Sequence, residues 1–216
     1  MALNRLYFVT MDGVSMGPVE QVVMACAAGV RWIQLRMKEA SDAEVLAAAV
    51  AAKPVCESHG CMLLINDRVE VAVAAGVDGV HLGQFDMAVD KARRMLGADK
   101  IIGGTANTLA QLREHWRGGA DYIGLGPYRY TTTKKNLSPV LGLEGYRAIM
   151  AGVKAEGVRI PVVAIGGIGK EDIAALLAAG LHGVAFSGML VHAGEPAALV
   201  RSLRNEIKMY EHAENC

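Results

Sequence analysis

The sequence has few aromatic residues and no excess of either charge. Phe, Trp and Tyr make up 5% of its 216 residues, so aliphatic side chains, alanine and methionine are expected to fill the core. Lys plus Arg and Asp plus Glu each number 22, whereas a general binder of nucleic acids or anionic membranes needs a basic surplus. No apolar run approaches the roughly 20 residues of a membrane span. The start shows no basic segment followed by an apolar stretch, so we expect no signal peptide.

The cysteines also lack a pattern typical of metal binding or of a disulfide framework. They occupy positions 26, 56, 61 and 216 and include no Cys-x-x-Cys pair. We therefore expect reduced thiols and a cytoplasmic location. What is abundant is apolar: 52% of residues are hydrophobic before the 25 glycines are counted. This composition excludes intrinsic disorder and predicts one large core.

A short pattern recurs four times along the chain. A helix-like stretch, mostly rich in alanine, ends at a glycine and is followed directly by a short apolar run. The glycines of the four repeats are Gly29, Gly76, Gly119 and Gly180. Glycine commonly ends a helix because it adopts the left-handed conformation without steric cost. Each repeat is therefore interpreted as a helix end that leads into a strand.

The spacing of this pattern predicts eight strand–helix units, because the intervals between the glycines suit two units each. Further strand-like runs fill the intervals, at residues 6–10, 62–65, 100–103 and 161–165. Helix-like stretches alternate with the strands, at residues 18–28, 41–58, 69–75, 87–96, 108–118, 143–156, 170–179 and 195–210. The strand runs are apolar throughout, as in parallel strands buried on both faces. We predict an α/β fold, a single-domain (β/α)8 TIM barrel over residues 1–216, with a doubly wound open sheet as the alternative.

Charged residues follow the predicted strands, where barrels of this class carry their active sites. Arg36 and Lys38 follow strand 2, and Lys134 lies in the long connection after strand 6. Asp67 and Asp86 follow strands 3 and 4. Two carboxylates beside three cations would largely neutralise one another, unless the carboxylates hold Mg²⁺ and the cations take substrate phosphate. The alternative is a set of salt bridges at the rim.

Small residues follow the last two strands. Gly166 and Gly167 come after strand 7, and Ser187 and Gly188 after strand 8. Because glycine has no Cβ, an anion can approach the backbone N–H groups closely, and these two loops form the recurrent phosphate site of the fold. The pattern predicts a phosphorylated ligand. The alternative is that the glycines only form tight turns.

The remaining polar residues indicate a reaction that needs little acid–base catalysis. The connection 128–141 is the longest and is expected to act as a lid that carries Lys134. His81 is expected to point into the barrel as a packed polar residue. Cys61 begins strand 3, at the end of the barrel away from the active site. We therefore expect the departure of a magnesium-bound diphosphate and the capture of the resulting electrophile by a second bound molecule.

Six motifs, spread in order over nearly the whole chain, resemble those of the thiamine phosphate synthase family. They are Gln34-Leu-Arg-Met-Lys38, Ile65-Asn-Asp-Arg68, Asp78-Gly-Val-His-Leu-Gly-Gln-Phe-Asp86, Asp121-Tyr-Ile-Gly-Leu-Gly-Pro127, Thr131-Thr-Thr-Lys-Lys135 and Pro161-Val-Val-Ala-Ile-Gly-Gly-Ile168. The family joins hydroxymethylpyrimidine diphosphate to a thiazole phosphate and releases diphosphate. The resemblance implies that diphosphate leaves first and that the thiazole nitrogen attacks the resulting pyrimidine cation.

The resemblance also implies roles for individual residues. The pyrimidine diphosphate would be bound by Gln34, Arg36, Lys38, Asn66 and Lys134. Asp67 and Asp86 would hold Mg²⁺. The thiazole phosphate would be bound by Thr131, Thr133, Gly167, Ser187 and Gly188, and Thr105 would be a further substrate-binding residue. Small-molecule substrates are the expected partners, without nucleic acid or membrane, and a homo-oligomer is left open.

The chain departs from the family pattern at a few positions. Thr105 stands where serine is common, and it keeps the hydroxyl. Asn107 and Tyr130 stand where histidine and proline are usual. The serine usual after strand 8 falls on Gly188, with Ser187 one place earlier.

Two alternatives to the synthase remain at this point. The related thiazole tautomerase shares the barrel and the thiazole-phosphate site but should lack the full set for the diphosphate. That set is complete here, and consists of Arg36, Lys38, Asn66, Asp67, Asp86 and Lys134. The other alternative is a non-catalytic barrel that binds a phosphorylated ligand.

Overall fold

Eight short parallel strands close into a barrel in this computed structural model, which describes residues 3–131 and 138–214. The strands are β1 (Leu6–Val9), β2 (Trp32–Leu35), β3 (Met62–Asn66), β4 (Gly79–Leu82), β5 (Ile101–Ala106), β6 (Tyr122–Leu125), β7 (Val162–Ala164) and β8 (Gly183–Phe186). Each strand pairs with its neighbours in sequence, and β8 pairs with β1 through the register Tyr7 to Ala185. The predicted (β/α)8 barrel is confirmed, and the open sheet was the wrong alternative.

Helices alternate with the strands and cover the outside of the barrel. They are α1 (Pro18–Ala28), α2 (Asp42–Ser58), α3 (Val69–Ala75), α4 (Val89–Leu96), α5 (Leu109–Arg117), α6 (Gly142–Ala155), α7 (Ile173–Ala178), α8 (Gly188–Val191) and α9 (Pro196–Glu214). The sequence prediction missed only α8, a single turn directly after β8. A 3-10 turn at Lys170–Asp172 leads into α7. Within the described ranges, no helix is both long and apolar enough to cross a membrane.

The four repeat glycines end their helices as predicted. Gly29, Gly76, Gly119 and Gly180 have φ angles of 99°, 62°, 92° and 94°. At Gly29, for example, the left-handed conformation lets the chain reverse into β2 while the N–H still donates to carbonyls of the last turn of α1. The recurring sequence pattern therefore marks four helix-to-strand transitions at the amino-terminal end of the barrel.

The core has two layers of different composition. Aliphatic side chains fill the layer between the sheet and the helices, as expected from the composition. The barrel interior instead holds Tyr7, Trp32 and Tyr122, all at most 2% exposed. The rings of Tyr7 and Trp32 stack with centroids 4.0 Å apart, and Tyr122 meets Trp32 edge-on at 4.6 Å. The expectation of a core of aliphatic residues, alanine and methionine is incomplete for this layer, where the three aromatic rings lie among Val9, Met62, Leu64, Val163 and Ala185.

Strand alternation carries polar side chains to the open end of this interior. Trp32 faces inward on β2, and Gln34, two residues later, faces the same way because side chains alternate along a strand. Met62 and Asn66 are related in the same way on β3. The barrel is therefore apolar towards its amino-terminal end and polar at the carboxyl ends of its strands.

Candidate active site

The two predicted metal ligands lie next to each other at the carboxyl ends of β3 and β4. Asp67 directly follows β3 and adopts a left-handed backbone conformation with φ of 64°, which is uncommon for a residue other than glycine. Its N–H donates to the carbonyl of His81, 2.9 Å away, so the turn is fixed by β4. Asp86 accepts a 2.5 Å hydrogen bond from the N–H of Gly83. The two carboxyl groups hydrogen-bond to one another.

The two carboxyl groups have opposite pKa shifts. Burial and the adjacent Asp67 carboxylate raise the pKa of Asp86 above its ordinary value. Burial also acts to raise the pKa of Asp67, but hydrogen bonds from Asp86 and Lys38 outweigh it and hold that pKa below its ordinary value. The Lys38 ammonium forms an ion pair with Asp67. Lys38 therefore favours the charged form of Asp67, and the Asp67 carboxylate disfavours the charged form of Asp86.

The second cation after β2 has a partner that the sequence analysis missed. The Arg36 guanidinium lies 3.1 Å from a carboxylate oxygen of Asp12, which also accepts the Lys38 backbone N–H at 3.2 Å. Asp12 follows β1, so the strand-end rule applied to the other residues could have identified it. Arg36 and Lys38 thus both form rim salt bridges, which was the alternative to the metal site. The Asp67–Asp86 pair is an additional feature that this alternative does not explain.

The predicted polar residues of the interior come together above the aromatic layer. Gln34 and Asn66 are 3% and 7% exposed. His81 is packed inside, as predicted, and its Nε2 lies 2.9 Å from the hydroxyl oxygen of Thr105. These side chains form the floor of a polar mouth whose rim carries Asp67 and the other charged residues.

The glycines after β7 serve packing as well as access. Gly166 and Gly167 have φ angles of 96° and 69°, which side chains rarely adopt. A Cβ on Gly167 would lie 2.9 Å from the Cβ of Arg129, so the β6 and β7 connections are in close contact here. The tight-turn alternative is therefore correct in part. The expected role of Gly167 in phosphate binding is not tested by this packing.

The segment after β8 leaves room that the segment after β7 does not. Gly188 begins α8, and a Cβ there would meet only ordinary contacts, the nearest at 3.5 Å from a ring carbon of His192. The Ser187 hydroxyl oxygen is buried and has no hydrogen-bond partner within residues 3–131 and 138–214. The hydroxyl that the sequence left in doubt is therefore an unused hydrogen-bonding group at this loop.

An ion pair that the sequence analysis did not identify fastens the β6 connection to the β7 connection. The Arg129 guanidinium binds Asp172 through two N–H groups, one of them at 2.6 Å, and donates to the Gly167 carbonyl at 3.1 Å. Burial acts to raise the pKa of Asp172, but Arg129 and the Gly169 N–H hold it below its ordinary value. Sequence offered no signal, because the partners are far apart in the chain.

Asn107 fastens both ends of the same connection. Its side-chain amide donates to the carbonyls of Gly126 and Pro139, at 2.9 and 2.8 Å. The amide therefore has a structural role at the position where the family usually has histidine. Thr131 is partly buried near the middle of this connection. Thr133 and Lys134, two of the predicted site residues, lie outside the described residues.

The donor set at the mouth fits a magnesium ion that shares its ligands with a substrate. Among residues 3–131 and 138–214, no cluster of three or more His, Cys, Asp or Glu side chains is suited to a metal. Asp67 and Asp86 supply two carboxylates in contact, which are hard oxygen donors. Mg²⁺ is typically held by one or two carboxylates plus phosphate oxygens and water, so these two residues suffice.

A closed barrel with its polar residues gathered at the carboxyl ends of the strands defines a TIM-barrel enzyme architecture. Residues 6–190 match the sequence profile of the family described as thiamine monophosphate synthase. The chain is 54% identical over 186 residues to the thiamine-phosphate synthase of Bacteroides thetaiotaomicron, covering 86% of this chain and 89% of that one. It is 50% identical over 200 residues to the synthase of Bacteroides fragilis, covering 93% and 98%.

A solved structure agrees with these relatives. The thiamine phosphate pyrophosphorylase from Pyrococcus furiosus superimposes with a TM-score of 0.82 at 32% identity, covering 95% of this chain and 96% of that one. The chain belongs to the thiamine monophosphate synthase family. Its activity is that of a thiamine-phosphate synthase, a transferase of thiamine biosynthesis.

Proposed function

We propose that the polar mouth joins 4-amino-2-methyl-5-hydroxymethylpyrimidine diphosphate to 4-methyl-5-hydroxyethylthiazole phosphate in a magnesium-assisted dissociative substitution. The observation that supports this most is the Asp67–Asp86 pair beside Lys38. Two partly buried carboxyl groups close together repel when both are ionised, so the pair favours a bound cation. A diphosphate needs such a cation as well as basic side chains.

The pyrimidine diphosphate occupies the side of the mouth formed by β2 and β3. Arg36 and Lys38 exchange their present carboxylate partners for phosphate oxygens, and Asp12 remains beside Arg36 to orient it. Lys134 adds a third cation, as the family resemblance implies. Gln34 and Asn66 lie deeper and face the pyrimidine ring. When bound at Asp67 and Asp86, Mg²⁺ supplies charge neutralisation for the leaving diphosphate.

The thiazole phosphate occupies the side of the mouth after β6, β7 and β8. The family resemblance assigns its phosphate to Thr131, Thr133, Gly167, Ser187 and Gly188. The Ser187 hydroxyl, which has no partner among the described residues, and the ordinary van der Waals clearance at Gly188 support this assignment. Thr105 lies on β5, between the two halves, and is proposed as a further substrate contact.

The reaction needs no protein nucleophile. The bond between the pyrimidine methylene carbon and the diphosphate oxygen breaks, and the diphosphate leaves with the electron pair. The thiazole nitrogen then donates its lone pair to form the new carbon–nitrogen bond. The described cysteines take no part, because Cys26, Cys56 and Cys61 are buried, and the hydrogen bond with Cys56 together with burial raises the pKa of Cys26 to about 12.

The thiazole tautomerase and a non-catalytic barrel were the alternatives to the synthase in the sequence analysis. Both would use the phosphate site after β7 and β8 alone, whereas this chain also places Asp67, Asp86, Arg36 and Lys38 together at the opposite side. We further propose that the whole chain, 1–216, acts as one domain on small molecules in the cytoplasm. Self-association stays an open prediction.

Asp67→Asn tests the metal site. We expect the variant to lose most of its turnover and to need on the order of tenfold more Mg²⁺ for half-maximal rate, a ratio that corresponds to ~1.4 kcal/mol. The reason is that a neutral amide is a weaker ligand for a hard cation than a carboxylate. Initial rates across a magnesium titration measure both effects, and Asp86→Asn should behave in the same way.

Asp90→Asn is the matched control for this titration. Asp90 lies on α4, four residues beyond Asp86. Its carboxylate forms an ion pair with Arg94, and this contact is the largest influence that lowers its pKa. Its variant should keep the wild-type magnesium dependence. If Asp67→Asn and Asp86→Asn kept it too, the metal assignment would be wrong.

A further inference from the structure

Five side chains form an unbroken line of hydrogen bonds across the barrel interior, from β2 to β5. In order they are Gln34, Tyr7, Tyr122, His81 and Thr105, and we call this line the interior chain. The four donor–acceptor distances are 2.6, 2.8, 2.8 and 2.9 Å. Its two ends are proposed substrate contacts. Its three middle members have no role in the chemistry proposed above.

The hydrogens of the interior chain can be counted, because each phenol has one. The Gln34 amide nitrogen donates to the Tyr7 oxygen, and the other partner of that hydroxyl among the described residues is the Tyr122 oxygen, so the arrangement that uses every hydrogen has Tyr7 donating to Tyr122. Tyr122 must then donate to Nδ1 of His81. An imidazolium would place a second hydrogen between Tyr122 and Nδ1, so His81 is neutral.

The same count fixes the other end of the interior chain. The hydrogen of the neutral imidazole is on Nε2, which donates to the hydroxyl oxygen of Thr105. Thr105 therefore accepts from inside the barrel, and its own hydrogen remains to be donated. At the opposite end, one hydrogen of the Gln34 amide nitrogen is donated to Tyr7, which fixes the orientation of the amide and leaves its carbonyl oxygen as an acceptor beside the second amide hydrogen.

Burial keeps the two phenols protonated. It is the largest influence on both and raises the pKa of Tyr7 and of Tyr122 well above the ordinary value of 10.0. Both residues therefore retain the hydrogens on which the direction of the line depends.

Neighbouring strands make room for the middle members. A Cβ on Gly103 would overlap the Tyr122 ring, and a Cβ on Gly124 would lie 3.0 Å from the imidazole of His81. The two rings stack with centroids 5.4 Å apart. The interior chain therefore requires glycine at both strand positions, because any larger residue would crowd Tyr122 or His81. An interior packed with aliphatic side chains would need neither the glycines nor the buried polar groups.

We propose that Tyr7, Tyr122 and His81 are positioning residues, which fix Gln34 as a hydrogen-bond acceptor and Thr105 as a donor towards the substrates. A ligand group that meets the Gln34 carbonyl oxygen must then be a donor, such as a ring amino group, and a ligand group that meets the Thr105 hydroxyl hydrogen must be an acceptor. The identity of the ligand at Gln34 rests on the proposed function. The direction of the interior chain does not.

Nitrogen-15 NMR of the histidine-labelled, full-length protein without ligands tests the direction. We expect Nδ1 of His81 to show the shift of an unprotonated imidazole nitrogen and Nε2 that of a protonated one, with the signals assigned by their loss in His81→Asn. Tyr122→Phe removes the donor to Nδ1 and should shift His81 towards a mixture of tautomers. A proton on Nδ1 of the wild type would reverse the line and overturn the proposal, whether or not the protein makes thiamine phosphate.

Tyr7→Phe tests the effect on substrate binding. We expect the KM for the pyrimidine diphosphate to rise about fivefold, the ratio that one lost neutral hydrogen bond produces, while the KM for the thiazole phosphate changes less than about twofold. Tyr146→Phe is the control, because Tyr146 is equally buried and its hydroxyl donates to the Leu125 carbonyl, outside the interior chain.

The outcomes of the kinetic test are distinct. If Tyr146→Phe raised the same KM as Tyr7→Phe, the effect would be general destabilisation and the positioning role would be wrong. An unchanged KM in Tyr7→Phe would also contradict it. A wild-type protein that formed no product would contradict the proposed function instead, and the NMR result would still decide the direction of the interior chain.

Discussion

At the scale of single residues, identical side chains acquire different properties from their neighbours. Asp67 and Asp86 interact, yet Lys38 pairs with the first and the pKa of that carboxyl is lowered, whereas the pKa of the second is raised. The sequence predicted both carboxylates because each follows a strand. Asp12 follows β1 and could have been selected by the same rule, but no motif singled it out.

Gly188→Asp separates the two proposed anion sites. A side chain fits there without disturbing the fold, because a Cβ would meet no atom closer than 3.5 Å. The added carboxylate would repel the thiazole phosphate, and one charge pair a few ångströms apart is worth about 4 kcal/mol at an effective dielectric near 20. Half of that would weaken binding more than tenfold. Calorimetric titration of each substrate with Mg²⁺ present measures the effect.

The control for this variant is Gly194→Asp, which adds the same charge where a Cβ has open space around it. It should leave both affinities close to those of the wild type. The pyrimidine diphosphate should be affected far less than the thiazole phosphate by Gly188→Asp. A loss confined to the diphosphate would reverse the assignment of the two sites, and an equal loss for both would indicate one shared site or a disturbed barrel.

At the scale of elements, the connection from β6 to α6 is held at points that its sequence does not reveal. Asn107 binds both of its ends, and Arg129 fastens it to Asp172 in the turn before α7. Local patterns predict where helices and strands begin, because periodicity and caps are local. Ion pairs between separate connections depend on the finished fold, so the length of this connection was predictable and its fastening was not.

Arg129→Met should destabilise the protein by breaking this fastening. Asp172 is 5% exposed, and removing its charged partner should lower the free energy of unfolding at neutral pH by about 2 kcal/mol. The folded-state pKa of Asp172 lies below its ordinary 3.8, so the ion pair stabilises the fold above that pH. Its contribution is lost as the pH falls through the folded-state pKa. Urea unfolding of both proteins across this range measures the difference.

The control is Arg147→Met, which removes an exposed arginine paired with Glu144 within α6. Exposed pairs of this kind contribute little, so its stability should match the wild type at all pH values. A difference between Arg129→Met and the wild type that persisted well below pH 3.8 would show that Arg129 acts through packing rather than through charge.

Lys134→Ala tests the proposed lid. We expect turnover to fall at least about tenfold, because a cation that meets the departing diphosphate acts mainly on the transition state. Lys135→Ala is the built-in control, since the family motif selects its neighbour, and it should retain most of the activity. Pre-steady-state release of diphosphate measures both, and equal rates in Lys134→Ala and the wild type would leave Lys134 without a role.

At the scale of the whole molecule, the barrel was predictable because one pattern is repeated. Gly29, Gly76, Gly119 and Gly180 mark equivalent helix ends, and apolar runs of strand length lie between them. The aromatic interior was not predictable, because the sequence does not show which face of a fully buried strand points inward. Tyr7 and Leu6 are both buried, yet only Tyr7 lies inside the barrel.

For the polar mouth as well, the sequence predicted which residues take part but not how they contact one another. Strand-end position and family resemblance selected Gln34, Asn66 and Thr105, and all three lie at the carboxyl ends of β2, β3 and β5. The line of hydrogen bonds that joins two of them passes through Tyr7, which lies in no motif, and Tyr122, which lies in a motif but was given no role. Hydrogen bonds between side chains on different strands therefore become visible only in the folded structure.

The central claim is that one mouth couples diphosphate departure to capture by the thiazole, and one measurement tests it directly. Purified protein is mixed with both substrates and Mg²⁺, and diphosphate and thiamine phosphate are quantified over time, with each substrate or the metal omitted in turn. The account predicts equal amounts of both products, formed only in the complete mixture. Isomerisation of the thiazole without diphosphate release, or no turnover at all, would contradict it.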